Sequence, residues 1–134
     1  MSNTKATGVA YLDPEFTTCY ATEELGYAPE AQGTVTQLTS KSTAVRLNKS
    51  MGRITMNNEA LAAGTNALFT LNNTTIGSND VVMVSVAGGG TAGAYWPFVS
   101  SQTAGSAVIG VYNNTGGSLG EAIIVNFTII HGAS

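Results

Sequence analysis

The sequence predicts an all-β fold: a single-domain antiparallel β-sandwich or jelly roll of about eight short strands, preceded by an extended N-terminal arm. Three observations lead there. From residue 34 onward, apolar and β-branched residues come in short runs, several with strict alternation. Breakers such as NKSMG, AAGTN, TIGSND, GGGTAG, TAGS and NNTGGSLG separate those runs at short intervals. No stretch carries a helical period of useful length.

The strands are read in order. TVTQLT (34–39) alternates and is rich in β-branched residues. AVRLNK (44–49) turns Val45 and Leu47 inward and Arg46 and Asn48 outward. RITMNN (53–58) turns Ile54 and Met56 inward and Arg53 and Thr55 outward. NALFTLNN (66–73), DVVMVSVA (80–87), AYWPFVS (94–100), SAVIGVYN (106–113) and EAIIVNFTIIH (121–131) complete the set. NEALAAGT (58–65) has room for one helical turn. Pro97 lacks an N–H for a ladder, so it marks an edge strand or a bulge. VVMVSVA and AIIVNFTII are apolar on both faces, which suits central strands or strands facing another subunit.

Residues 1–33 are expected to form the arm and residues 34–134 the sandwich. In the arm the apolar residues follow neither period, and Pro14 and Pro29 punctuate it. It nevertheless holds Tyr11, Phe16, Tyr20 and Tyr27, four of the ten aromatics. Such residues suit an arm that lays anchors into grooves, or a first strand and loop packed on its own domain.

Charge is sparse, at 10% of residues, and unevenly placed. The first 33 residues set Lys5 against Asp13, Glu15, Glu23, Glu24 and Glu30, a net of −4. Residues 34–58 hold Lys41, Arg46, Lys49 and Arg53 and no acid. The remainder holds only Glu59, Asp80 and Glu121. The outward parity of Arg46 and Arg53 leads to the expectation of one shared basic face, with Lys41 and Lys49 at strand ends. These four residues and the four arm aromatics are the candidate contact set for a partner or a sister copy.

A net charge of −3 argues against nucleic acid as a partner. The longest apolar run is too short for a membrane helix, and no membrane partner is expected. MSNTKATGVAYLDPEF has no signal-peptide core, so synthesis in a cytoplasm is expected. Cys19 is alone, which excludes an internal disulfide.

Groups for chemistry are scarce. His131 is the sole histidine, ends a strand, and is expected to be structural or exposed. Cys19 has no adjacent base, and Glu23–Glu24 are neighbours that point apart in an extended chain. GGGTAGA (88–94) lacks the Lys and Ser/Thr of a phosphate loop and reads as a tight turn with glycine at positive φ. The N-x-S/T patterns at Asn48, Asn72, Asn73 and Asn126 read as chance in an Asn- and Thr-rich chain. No catalytic, cofactor or metal constellation is expected, and the chain does not read as an enzyme. Tyr95, Trp96 and Tyr112 near edge loops could stack on a sugar ring.

The order of several strings carries a resemblance. GTVTQLTSKSTAVRLNKSMGRITMNNEALAAGTNALFTLNN, then NDVVMVSVAGGGTAGAY, then NNTGGSLGEAIIVNFTIIHG, resembles the tailed-phage capsid cement or decoration protein family, over roughly residues 33–132. Related domains also end phage fibres. The resemblance implies a jelly roll bound to the outer face of an icosahedral head, beside the major capsid protein. It implies a virion location and carries no catalytic residues. The arm falls outside it. Self-association is expected, a homodimer first and a homotrimer as competitor, since a two-fold needs one self-complementary patch. The alternative is a receptor- or glycan-binding tip of a phage fibre.

Overall fold

The computed structural model describes residues 15–133. Eight strands form two packed sheets: β1 (Gln32–Thr36), β2 (Val45–Arg46), β3 (Met51–Thr55), β4 (Asn66–Asn72), β5 (Val81–Gly88), β6 (Tyr95–Thr103), β7 (Ser106–Asn113) and β8 (Ile124–Ile130). Sheet A runs β1-β3-β8-β5 and sheet B runs β2-β4-β7-β6. The all-β sandwich expected from the sequence is therefore present, and its arrangement is jelly-roll-like. A short 3-10 turn, Pro29–Ala31, leads into β1. Residues 58–65 make no helical turn; Leu61 bridges Leu119 and Gly64 sits at φ +65°.

Two strand pairs depart from the antiparallel expectation. β1 pairs β3 in parallel, and β2 pairs β4 in parallel. The cause is connectivity. The chain alternates between sheets from β1 through β6, so each of β1 and β2 meets its neighbour only after a strand in the other sheet. That detour serves as the crossover a parallel pair needs. Only β6 and β7 form a tight hairpin, turning at Gly105 with φ +86°.

The inward faces meet in one core. Ile54, Leu71, Ile109, Val111, Ile123, Val125 and Ile129 are wholly buried, with Phe127 and Met56 beside them. β8 is central in sheet A, between β3 and β5, and its outward face mixes Ile124 and Ile130 with Asn126 and Thr128. β5, apolar on both faces, is instead an edge strand. Its outward Val81 and Met83 are exposed. Pro97 lies on edge strand β6, just ahead of a register shift between Val99 and Ser101.

Two N-x-T strings prove to be turn chemistry. The Asn73 side chain accepts from the Thr75 amide and hydroxyl, and donates to the Lys49 carbonyl at 2.7 Å. Asn113 accepts from Thr115 in the same way and donates to the Leu61 and Gly117 carbonyls. Both are buried, and each satisfies its turn from within.

Core and edge should respond differently to truncation. Phe127→Ala is expected to cost about 3–5 kcal/mol in urea unfolding. Met83→Ala, on the exposed edge, should change stability by less than about 0.5 kcal/mol.

Candidate interaction faces and the polar clasps

The structure separates the basic residues that the sequence groups together. Arg53 lies on the outer face of sheet A, where its Nε donates to Asn126 Oδ1 at 3.2 Å. Arg46 lies on β2 in sheet B and points out on the opposite side of the sandwich. The shared basic face is thus corrected: outward parity is common to both strands, but they belong to different sheets. Lys49 turns toward the arm, donating from Nζ to the Glu30 carbonyl at 2.7 Å.

Lys41 leaves the surface altogether. It is 2% exposed, and its Nζ donates to the carbonyls of Asn57 and Glu121, the second at 2.6 Å. Its own amide donates to Glu59 Oε2 at 2.9 Å. Burial pulls its pKa down, and the Glu59 and Glu121 carboxylates pull it partly back. Lys41 is thereby an internal tie across one end of the β3–β8 pair.

Glu121 extends that tie. Its carboxylate accepts from the Tyr95 hydroxyl at 2.6 Å and from the Thr91 amide and hydroxyl, both at 2.9 Å. These bonds, chiefly the one from Tyr95, hold its pKa below the usual carboxylate range. They also fix the glycine loop 88–94. Gly89 takes φ +77°, and a Cβ there would sit 2.3 Å from the Ala122 carbonyl oxygen. The loop is the tight turn expected, packed on the start of β8.

The other end of β3–β8 carries a second clasp that sequence reasoning missed. His131, just past β8, donates from Nδ1 to Asp80 Oδ2 at 2.9 Å. The Ser50 hydroxyl, just before β3, lies 2.9 Å from His131 Nε2. Asp80 also accepts from the amides of Gly77 at 2.7 Å and Gly132 at 2.9 Å. The amide bonds lead in holding its pKa down, with His131 adding to them. Tyr27 joins from the arm: its hydroxyl donates to the Ile129 carbonyl, and its ring meets the His131 ring edge-on at 6.2 Å. Desolvation, with Asp80 nearby, raises the Tyr27 pKa.

Ser50, His131 and Asp80 have the order of a nucleophile, base and orienting acid. Acyl transfer needs two further parts, a cleft for the substrate and N–H donors aimed at an oxyanion. The two grooves on sheet A pass this cluster by: Ser50, His131 and Asp80 line neither of them. The arrangement fastens residues 131–132, the β2–β3 connection and the arm to one point. Sequence separations of 30 and 51 residues between its members hid it, and no local pattern marked it.

The arm divides at Tyr27. Tyr27 is bound to the sandwich, whereas Phe16 and Tyr20 are exposed, as is Leu25. Tyr11 lies outside the described residues. Among the described residues the sole ion pair within 4 Å is His131–Asp80, so the carboxylates of Glu15, Glu23, Glu24 and Glu30 do not bridge to the basic segment of their own chain.

Two outer faces remain open. On sheet A the register sets Met51 and Met83 on either side of Thr128, and Val81 beside Ile130. Two shallow grooves of about 350 and 210 Å³ flank this row, sharing Met51 and Asn126. On sheet B, Trp96 stands beside Tyr112 with ring centroids 5.8 Å apart. Phe98 lies over Gly110, where a Cβ would come within 2.3 Å of the ring, and Leu68 adjoins. Tyr95, grouped with these by sequence, faces the core and Glu121 instead. No protein family, curated protein or solved structure matches this chain.

Acid should weaken the clasps in a definite window. Asp80 and Glu121 have folded pKa values below their unfolded ones, so their stabilisation is complete above the unfolded carboxyl range of about 4. It is lost as pH falls through the lower folded values. Asp80→Asn should lower stability at neutral pH and flatten the acid limb, read by thermal melts between neutral and strongly acidic pH. Lys41→Met strands the Asn57 and Glu121 carbonyls and removes the positive charge near Glu59 and Glu121, and is expected to cost at least about 1–3 kcal/mol. Ser50 should resist a fluorophosphonate probe; labelling would reassign the clasp to acyl transfer.

Proposed function

We propose that this chain is a structural virion protein that binds the outer surface of a tailed-phage icosahedral capsid and cements neighbouring major capsid subunits. One observation carries the reading. Both outer faces of a charge-poor sandwich expose apolar side chains: Met51, Val81, Met83 and Ile130 on sheet A, Leu68 and Trp96 on sheet B. Exposed apolar surface on a small domain marks a place of contact. Two such faces on opposite sides let one domain touch more than one neighbour, which is what a cement must do. The resemblance of the string order to phage cement proteins supports the same reading.

The physical logic is additive. A shell protein is present in many copies, so each contact can be modest while the sum is large. Binding the assembled lattice in preference to its parts stabilises assembly by mass action. An uncharged Thr, Ser and Asn surface keeps the free protein soluble and loses little hydration on docking. Two tight polar clasps keep the domain rigid while it bridges.

A second reading rests on the sheet B platform. Trp96, Phe98 and Tyr112 with neighbouring Asn66 offer stacking surface and a polar rim, as a glycan-binding fibre tip requires.

The deciding measurement is copy number in purified virions relative to the major capsid protein. A ratio near one-to-one is expected for a lattice-wide cement. A handful of copies per particle would move the chain to a vertex or fibre, and its absence from virions would end both readings. Trp96→Ala should abolish binding to a glycan array if the fibre reading holds.

A further inference from the structure

We propose that residues 15–26 of one copy dock on the outer face of sheet A of a second copy, so that two chains exchange arms. The inference goes beyond the capsid reading and does not depend on it.

The arm's own geometry is the first argument. It is fastened at Tyr27 by the Ile129 carbonyl, and by a Gln32 side-chain bond to the Tyr27 carbonyl at 2.8 Å. Beyond that point its large apolar side chains find no seat on their own domain: Phe16 is 62% exposed, Tyr20 91% and Leu25 89%. Extended, the stretch from Tyr27 to Phe16 reaches roughly 35 Å. A domain of about 100 residues has a radius of gyration of about 13 Å. Anchored at the surface and unseated on its own domain, an arm of that length is long enough to lie across the face of an adjoining copy.

The face supplies the complement. The two open grooves share Met51 and Asn126, so together they form one continuous strip across sheet A. One is lined by Met83, Val84 and Phe127 and suits an aromatic anchor; the other holds Arg53. On the outward positions of sheet A, Arg53 is the only charged residue. The arm brings Glu15, Glu23 and Glu24, which find no cation within their own chain among the described residues. Apolar anchors give affinity and the carboxylate–guanidinium pair sets register. Each copy carries both arm and face, so the exchange closes as a two-fold dimer with one self-complementary surface.

Cys19 gives the test a built-in probe, because it is exposed in the arm and is the chain's sole thiol. Met83→Cys places a second thiol on the face. Equal amounts of ¹⁴N- and ¹⁵N-labelled full-length Met83→Cys protein are mixed, oxidised mildly and digested. The expected product joins residue 19 of one isotope to residue 83 of the other. Links found only within one isotope, or only between like positions, overturn the proposal.

Sedimentation provides the second arm of the test. Arg53→Glu should weaken the dimer about tenfold or more at low salt. Adding Glu23→Lys and Glu24→Lys should restore it. Arg46→Glu, the same charge change on the opposite face, should leave it unchanged. A wild-type chain that stays monomeric at its highest soluble concentration, or equal effects of Arg46→Glu and Arg53→Glu, would sink the exchange.

Discussion

The structure depends on the antiparallel pairing of β3 with β8. It joins the early and late parts of the chain across some 75 residues and places Ile54, Val125 and Phe127 at the middle of the core. Edge strands β1 and β5 hang on it from either side. A pairing of such long sequence separation carries a large loop-closure cost, which grows slowly with length but must be met before any contact forms. The pair is fastened at both ends. Lys41 bridges the end of β3 to the start of β8, and Asp80 with His131 fastens the start of β3 to the end of β8 through Ser50. Neither clasp leaves a buried polar side-chain atom without a partner among the described residues. A buried lysine is costly in isolation. Here two carbonyls and two nearby carboxylates offset that cost, and the same ammonium specifies one register for the pair.

The sequence made the strands legible because alternation and glycine-rich breakers act locally. β4, β7 and β8 fall almost where the pattern of inward Ala67, Phe69 and Leu71, of Ile109 and Val111, and of Val125 and Phe127 places them. β1 and β3 begin two residues earlier than read, because Gly33 and Gly52 join the ladder without any side-chain signal. What the pattern lacks is sheet membership. Period-two alternation tells inward from outward, not which sheet is meant. Arg46 and Arg53 share parity, sit seven residues apart and still face opposite ways. The same gap hid the clasps. Lys41 looks like a surface residue in SKST, and its burial follows from partners 16 and 80 residues away. The N-x-T strings were locally readable after all, since Asx turns depend on the residue two positions on. Composition in an Asn- and Thr-rich chain masked them.

Poverty of charge shapes how the surface behaves. Most of the few charged groups that sit in the sandwich are drawn inward or along the backbone: Lys41, Asp80 and Glu121 into clasps, Lys49 onto the Glu30 carbonyl. Arg46 and Arg53 remain as lone positive points on opposite faces. Isolated exposed charges contribute little to stability. They can orient a partner, and on a face that is otherwise apolar and neutral a single guanidinium suffices to choose among registers.

The clasp at His131 also decides where the arm goes. Tyr27 is the last arm residue with a fixed place, held by a carbonyl of β8 and the edge of the His131 ring. His131 is itself oriented by Asp80, which two backbone amides hold in place. The direction in which residues 15–26 leave the sandwich is thus set by groups that belong to its core architecture. That economy matters for an arm meant to reach a neighbour: fixing the base of a segment in advance lowers the entropy lost when its tip docks. The exit lies at the end of sheet A that also presents Ile130 and Val81, so an arm crossing to a two-fold partner starts beside the face that the partner's arm is to cover.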